Sequence, residues 1–382
     1  MGLTEAMVRL RGKHEIILAL NGTYYESCVD VRNLFLPFLT SKNILTWYPV
    51  KSDATFGDAV IHRDVSESLY EHFIYSLKPD LILMPSIFDG DSITRVPATK
   101  HQVPIVVVLY DLIPLIFKEL YLADPNSKSL YSYKLDQLKS ADLILSISES
   151  ARQDAIKYLF IPPERLVNIS SAIDSRFKVI KFDDDSFQSI RAKYKIERKI
   201  IMYTGGSDWR KNIDALIRAY ARLKADLRES YQLVIVCAIV QGEMDRLYNL
   251  ARKEGLGDND VVLTGYVSES EMVALYNRCE LFVFPSWYEG FGLPALEAMA
   301  CGAPTIVSNT SSLPEVMGRE DVLFDPYNDQ SIAEKITQVL TDDAFKKDLR
   351  DYGLVQSTKF SWDKTAQRAL DAMEAIASNF DR

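Results

Sequence analysis

The chain has 382 residues, more than one hydrophobic core readily serves and enough for two domains. Hydrophobic residues make up 47% and charged residues 25%, an ordinary globular balance that excludes a disordered or low-complexity chain. A formal net charge of −9 speaks against a nucleic-acid binder, which needs a concentrated basic face.

Residues 1–12 read as a helix, with Leu3, Met7, Val8 and Leu10 gathered on one side. Residues 15–20 form a strand that Asn21-Gly22 ends, and further strands fall at 43–47, 81–84, 105–110, 143–147 and 166–169. Helical patterns at 64–77, 126–140 and 150–160 separate several of them. Strands that are apolar throughout and alternate with helices indicate a parallel sheet covered on both faces. The charged passage at 181–187 interrupts this alternation and reads as the end of an interdomain linker.

The alternation then restarts. Strands are expected at 200–203, 233–238, 261–264, 281–284, 305–307 and 322–324. Helices are expected at 213–227, 243–254, 269–277 and 293–300, then near 331–340 and 343–352, with a last one at 363–378. The fold class is therefore α/β, with two doubly wound halves: residues 1–180, and 181–362. In open parallel sheets ligands bind beyond the carboxyl ends of the strands, so the functional residues are sought where both sets of ends meet.

Cys28, Cys237, Cys279 and Cys301 form no C-x-x-C pair, so neither a zinc site nor a disulfide framework is indicated, and a reducing compartment fits. His14, His62, His72 and His101 are too dispersed to suggest a metal cluster. No apolar run approaches the roughly 20 residues that span a bilayer. The N-terminus lacks a signal-peptide layout. The expectation is a cytoplasmic protein, with peripheral contact at the inner face of the plasma membrane left open.

The most informative stretch runs from Phe284 to Gly302. A buried strand leads into a loop with Gly290 and Gly292, and then into a helix with Pro294 in its first turn. The free N–H groups of that turn, near Phe291–Leu293, make an anion site. Glu289 in the loop and Glu297 on a helix of small and apolar residues add two carboxylates. Phosphate plus hydroxyls describes a nucleotide sugar. Glu289 read alone is equally an exposed loop residue, whereas Glu297 on a buried helix needs partners. Gly290 to Ala295 also spell G-x-G-x-x-A, but Pro294 and the distance from the strand argue against a nicotinamide site.

The second half opens with a strand, Gly205-Gly206, and then Arg210-Lys211-Asn212 at the head of a helix. Cations suit that position poorly unless an anion is shared there. They read either as a solvated pair after a turn or, with the neighbouring anion site, as a clamp on one diphosphate. In the first half, Tyr110-Asp111 follow the most apolar strand, where Asp111 is either a turn residue or a group projecting from the strand end. Ser148 and Ser150 open a helix, and at least one of them is expected to cap it.

Taken together, these residues resemble the retaining glycosyltransferases of family 4, which have the GT-B fold. Glu289, seven residues, then Glu297 is similar to that family's signature pair. Arg210-Lys211-Asn212 resembles its diphosphate-gripping segment, and Ser312 to Gly318 and Leu323 to Pro326 read as family phrases. The likeness is strongest from Lys199 onward. Tyr110-Asp-Leu-Ile-Pro114 is similar to the matching loop of bacterial mannosyltransferases of polysaccharide and O-antigen assembly, many of which have His in place of Tyr110. Relatives usually begin with a strand and a glycine-rich loop, and this chain is expected to start inside the helix that follows them.

The resemblance implies a metal-independent hexosyltransferase with no cofactor, whose nucleotide-sugar donor is a co-substrate and is best guessed as GDP-mannose. Arg210 and Lys211 would neutralise the leaving diphosphate, and Gly205 and Gly206 would let the backbone approach it. Glu289 and the N–H groups from Gly290 to Leu293 would hold the sugar. Glu297 would bind the ribose, and the backbone near Tyr266-Val267 would meet the base. Asp111 joins Glu289, Arg210 and Lys211 as a catalytic candidate, and Tyr110, Asp111 and Ser148 are acceptor-side candidates. The acceptor would be a glycan or polyprenyl-linked saccharide, and the late start reads as a trimmed chain, as one module of a larger multi-domain enzyme or complex, or as a first strand that is missing. The last helix, 363–382, would pack back on the first half. Two other readings share these residues: a catalytically silent GT-B module that binds or sets length, and a GT-B sugar-nucleotide epimerase.

Overall fold

The computed structural model describes residues 1–49, 58–88, 96, 103–181 and 184–380. His101, and Phe182-Asp183 of the expected linker, lie outside the described residues. The chain divides into two compact units, Met1–Ser171 with Trp362–Arg382, and Ala172–Ser361. The division falls earlier than the 180/181 expected from the charged passage, because the preceding residues pack within the second unit. There the Ile180 N–H donates to Asn277 Oδ1 at 2.8 Å, Asn277 Nδ2 donates to the Lys178 carbonyl at 3.1 Å, and Phe177 meets Tyr276 edge-on. The passage read as linker itself opens a helix, Asp184–Tyr194.

In the first unit, β1 (Leu18–Asn21) pairs in parallel with β2 (Ile44–Trp47) as a two-stranded sheet. β3 (Ile82–Met84), β4 (Ile105–Leu109), β5 (Leu143–Ser146) and β6 (Leu166–Asn168) form a separate four-stranded parallel sheet in that order. Every residue of β4 is buried. Ile105, Val107 and Leu109 pack towards Leu135, Leu138 and Leu159 on one face. Val106 and Val108 meet Ala6, Met7, Ala366, Ala369 and Leu370 on the other. The last helix, Trp362–Asn379, therefore packs within this unit beside Gly2–Leu10. Gly2 allows that approach, because a Cβ there would lie 2.3 Å from the Trp362 ring. The helix Tyr25–Phe35 carries no sequence signal of its own, since only Phe35 is buried and no apolar stripe marks it.

The second unit holds one parallel sheet of six strands: β7 (Lys199–Thr204), β8 (Tyr231–Val236), β9 (Val261–Leu263), β10 (Leu281–Phe284), β11 (Thr305–Ser308) and β12 (Leu323–Phe324). Their order is β12-β11-β10-β7-β8-β9. The chain winds outward from β7 through β8 to β9, then returns to the other side of β7 as β10. The switch point lies between β7 and β10, where the loops leaving neighbouring strands diverge and open a crevice. The helix expected over 213–227 is two, Ile213–Ala221 and Ala225–Ser230, broken at 222–224. No helix among the described residues is long and apolar enough to cross a membrane.

Candidate active site

The loop after β7 is folded back by its own residues. Gly205 sits at φ +150°, and a Cβ there would lie 2.9 Å from the Tyr203 hydroxyl. That hydroxyl donates to the Gly206 carbonyl at 2.8 Å. Asp208 then caps a single turn, Trp209–Lys211, accepting from the Arg210 N–H at 3.1 Å. Asn212 takes the left-handed conformation at φ +58°, which asparagine tolerates better than most residues. Its Nδ2 donates to the carbonyls of Pro285 at 3.1 Å and Pro326 at 2.8 Å, tying three loops at the strand ends together.

The loop after β10 comes to the same place. The Trp287 N–H donates to the Arg210 carbonyl at 2.8 Å. Gly292, at φ +104°, turns the chain into the helix Leu293–Ala300, with Pro294 in its first turn. Two serines that the sequence reading left without a role hold this loop. The Glu289 N–H donates to Ser311 Oγ at 2.9 Å, and the buried Ser312 hydroxyl lies 3.0 Å from the Glu289 carbonyl and 2.8 Å from that of Phe291. Phe291 is buried and packs edge-on against Phe360. The N–H groups of Phe291, Gly292 and Leu293 find no acceptor among the described residues, as a helix's first turn requires.

The two loops bring Arg210, Lys211 and Glu289 together. Lys211 Nζ is 2.7 Å from Glu289 Oε1, and Arg210 Nη1 is 3.1 Å from Glu289 Oε2. Arg210 Nη1 also donates to the Tyr288 carbonyl at 2.7 Å. The side chains of Glu289, Lys211 and Arg210 are 9%, 11% and 17% exposed, so solvent screens them poorly. The anion that justifies two cations at the head of a helix is thus the chain's own Glu289, with Asp208 Oδ1 3.6 Å from Arg210 Nε. Glu289, read from sequence as a loop residue of uncertain exposure, is the buried centre of the cluster.

Glu297 lies on the helix Leu293–Ala300, and its partner is Tyr276, whose hydroxyl donates to Oε2 at 2.9 Å. Oε1 accepts no hydrogen bond among the described residues. Burial raises the Glu297 pKa above the ordinary 4.5, opposed by the Tyr276 hydrogen bond and by Arg176, and reinforced by Asp174. A carboxyl raised on folding favours the protonated native state, so its contribution is full below pH 4.5 and is lost as pH rises through the raised value. The melting temperature of Glu297→Gln relative to the unmodified protein should therefore climb over that window and then level off. Thermal melts from pH 4 to pH 8 check this; a constant difference would mean that Glu297 ionises as freely as in water.

Val267 is buried just before Ser268, which caps the helix Glu269–Arg278 in a reciprocal capping box with Glu271, so only its backbone is available to a ligand. In the first unit, Tyr110 follows β4 and is 46% exposed, whereas Asp111 Oδ1 accepts from the Ile113 N–H at 2.9 Å in a tight turn. Ser148 is fully buried and caps the helix Glu149–Leu159, accepting from the Ala151 N–H at 2.9 Å. Ser148 thus serves as a helix cap, as expected of at least one of Ser148 and Ser150. Arg210, Lys211, Glu289, the 290–293 loop and Glu297 share the second unit, and Tyr110, Asp111 and Ser148 belong to the first.

Residues 186–356 match the family of glycosyl transferases group 1. The chain is 38% identical over 379 residues to the serotype-specific mannosyltransferase WbdA of Escherichia coli, covering 98% of this chain and 46% of WbdA. It is 34% identical over 242 residues to the O-antigen chain mannosyltransferase B of Escherichia coli, covering 63% of this chain and 62% of that protein. The chain thus spans about half the length of WbdA, at 46%. Among solved structures, Anabaena HepE in complex with UDP and glucose superposes with a TM-score of 0.68 at 17% identity, over 95% of this chain and all of HepE. The chain thus shares the fold of HepE, and its residues 186–356 are similar to the glycosyl transferases of group 1.

Proposed function

We propose that the chain is a retaining hexosyltransferase that moves mannose from GDP-mannose onto a glycan or polyprenyl-linked saccharide in cell-surface polysaccharide synthesis. The observation that carries this reading is the buried Arg210–Lys211–Glu289 cluster at the switch point, beside unpaired N–H groups of a helix N-terminus. A departing nucleoside diphosphate needs positive charge and N–H donors at one place, already oriented when the bond breaks. Arg210 and Lys211 supply the charge, and the first turn at Leu293 supplies the donors. A diphosphate arriving there competes with Glu289 for the cations and frees its carboxylate towards the sugar hydroxyls. Transfer passes through an oxocarbenium-like state, which charge neutralisation on the leaving group favours.

Glu297 Oε1 is the acceptor for the ribose hydroxyls, and Tyr276 holds the carboxylate in place. Tyr110 and Asp111, at the carboxyl end of β4, serve the acceptor. Mannose as the donor sugar rests on the names of the two Escherichia coli relatives. The two cations let the site work without a metal, in the cytoplasm and at a membrane surface where a lipid-linked acceptor is met.

Calorimetric titration with GDP-mannose, GDP, UDP-glucose and UDP, with and without EDTA, tests this reading. The guanine nucleotides should bind, with affinity unchanged by EDTA. Binding by the uridine pair alone would overturn the donor, loss in EDTA would overturn metal independence, and no binding at all would overturn the transferase reading in favour of a silent module. With donor and mannosyl acceptor present, the new linkage should keep the donor's α configuration by NMR; a β product would overturn retention.

A further inference from the structure

Beside the charge cluster, three aromatic rings from three different loops lie in a row. Trp209, after β7, is 4.9 Å between centroids from Trp287, after β10. Trp287 is in turn stacked on Tyr327, after β12, at 5.7 Å and an interplanar angle of 18°. The row is fixed from below. The Trp287 N–H bonds the Arg210 carbonyl at 2.8 Å, Trp287 Nε1 reaches the Pro326 carbonyl at 3.4 Å, and the Tyr327 N–H bonds Asp325 Oδ1 at 2.9 Å. These rings are not core: Tyr327 is 68% exposed and Trp209 36%. Exposed rings tied by hydrogen bonds to the strand ends that carry the candidate active site, as Tyr327 and Trp209 are beside the half-buried Trp287, have the character of a binding surface.

We propose that Trp209, Trp287 and Tyr327 form a stacking surface for a hexose unit of the growing glycan, which deepens the transferase reading and rests on it. A pyranose ring has a face of C–H bonds and a rim of hydroxyls, and the C–H face lies flat on an aromatic ring. Asp325 lies beneath Tyr327, and Asp208 beside Trp209 is offset by Arg210 Nε at 3.6 Å, so the charge around the row is mixed and the apolar rings suit a neutral ligand. The surface adjoins the Arg210 loop through the Trp287 backbone, so a chain resting on it stays close to the donor site. It holds the acceptor by shape while adding nothing to the leaving-group chemistry.

The test is titration of the protein with a linear α-linked mannotetraose, without nucleotide, followed by intrinsic fluorescence. Two of the four tryptophans lie in the row, so a sugar on it changes a large share of the emission. Saturable binding is expected, weakened roughly fivefold or more in Tyr327→Ala, as for other ring-stacking contacts. Tyr327→Phe should keep the affinity, because the ring face rather than the hydroxyl does the holding. GDP affinity should match the unmodified protein in both variants. Absence of saturable binding, or equal affinity in Tyr327→Ala, would overturn the proposal. GDP binding weakened in Tyr327→Ala would assign the rings to the nucleotide base and overturn it too. Tyr327-dependent mannotetraose binding without any nucleotide binding would instead sink the donor reading and leave the surface standing.

Discussion

Arg210→Ala and Lys211→Ala each lower the turnover of sugar transfer by about two to three orders of magnitude at saturating donor, the usual loss when one preorganised charge is taken from a transition state. The cluster also predicts what happens to the fold. In either single variant Glu289 keeps one cation, Lys211 at 2.7 Å or Arg210 at 3.1 Å, and the protein stays folded. In the double variant Glu289 is buried without a cationic partner, at a cost of about 3–5 kcal/mol. Adding Glu289→Gln removes the stranded charge and recovers most of that stability, yet restores no activity. Urea unfolding of the four proteins, beside their turnover, separates the two effects. Single variants with undiminished turnover would remove the diphosphate assignment, and a double variant as stable as the unmodified protein would show that Glu289 is better solvated than its 9% exposure implies.

Much of this site could be read before any contact was known, because it is built from short-range patterns. Gly205, Gly292 and Pro294 punctuate the turns, and β7 and β10 are apolar runs that end where the turns begin. Arg210 and Lys211 stood out because they oppose a helix dipole, a conflict that sequence alone exposes. What resolves it is not local: Glu289 is 78 residues from Lys211, and only the β10–β7 pairing brings the two together. The supporting residues were hidden for the same reason. Ser311, Ser312 and Tyr276 act at separations of 21 to 23 residues through single hydroxyls, and no periodicity marks them. Elements without a buried stripe were lost as well, as with Tyr25–Phe35, where one buried residue leaves no helical signal. The helix expected over 213–227 failed differently. Leu223 is buried and sustained the apolar pattern across a real break, since a loop residue can serve the core as well as a helical one.

Gly292→Ala is the change expected to harm the loop most without altering any charge. At φ +104° and ψ +42° the backbone lies where side-chain-bearing residues are strained, costing about 1–3 kcal/mol. The new Cβ would also lie 2.5 Å from Leu313 Cδ2, and Leu313 is fully buried, so it yields only by overpacking at about 1–3 kcal/mol more. Gly255→Ala isolates the backbone share, because Gly255 has φ +79° but nothing within 4 Å of its Cβ position. Gly292→Ala should therefore be the more destabilised of the two in denaturant unfolding. It should also bind GDP more weakly, since the displaced loop carries the N–H groups at 291–293, while Gly255→Ala binds GDP normally. Leu313→Ala opens the space, so in combination with Gly292→Ala it should cost less than the two changes added separately. Additive costs would mean that the loop strain is backbone alone. A Gly292→Ala protein with unchanged stability and unchanged GDP affinity would remove the preformed first turn from the donor site.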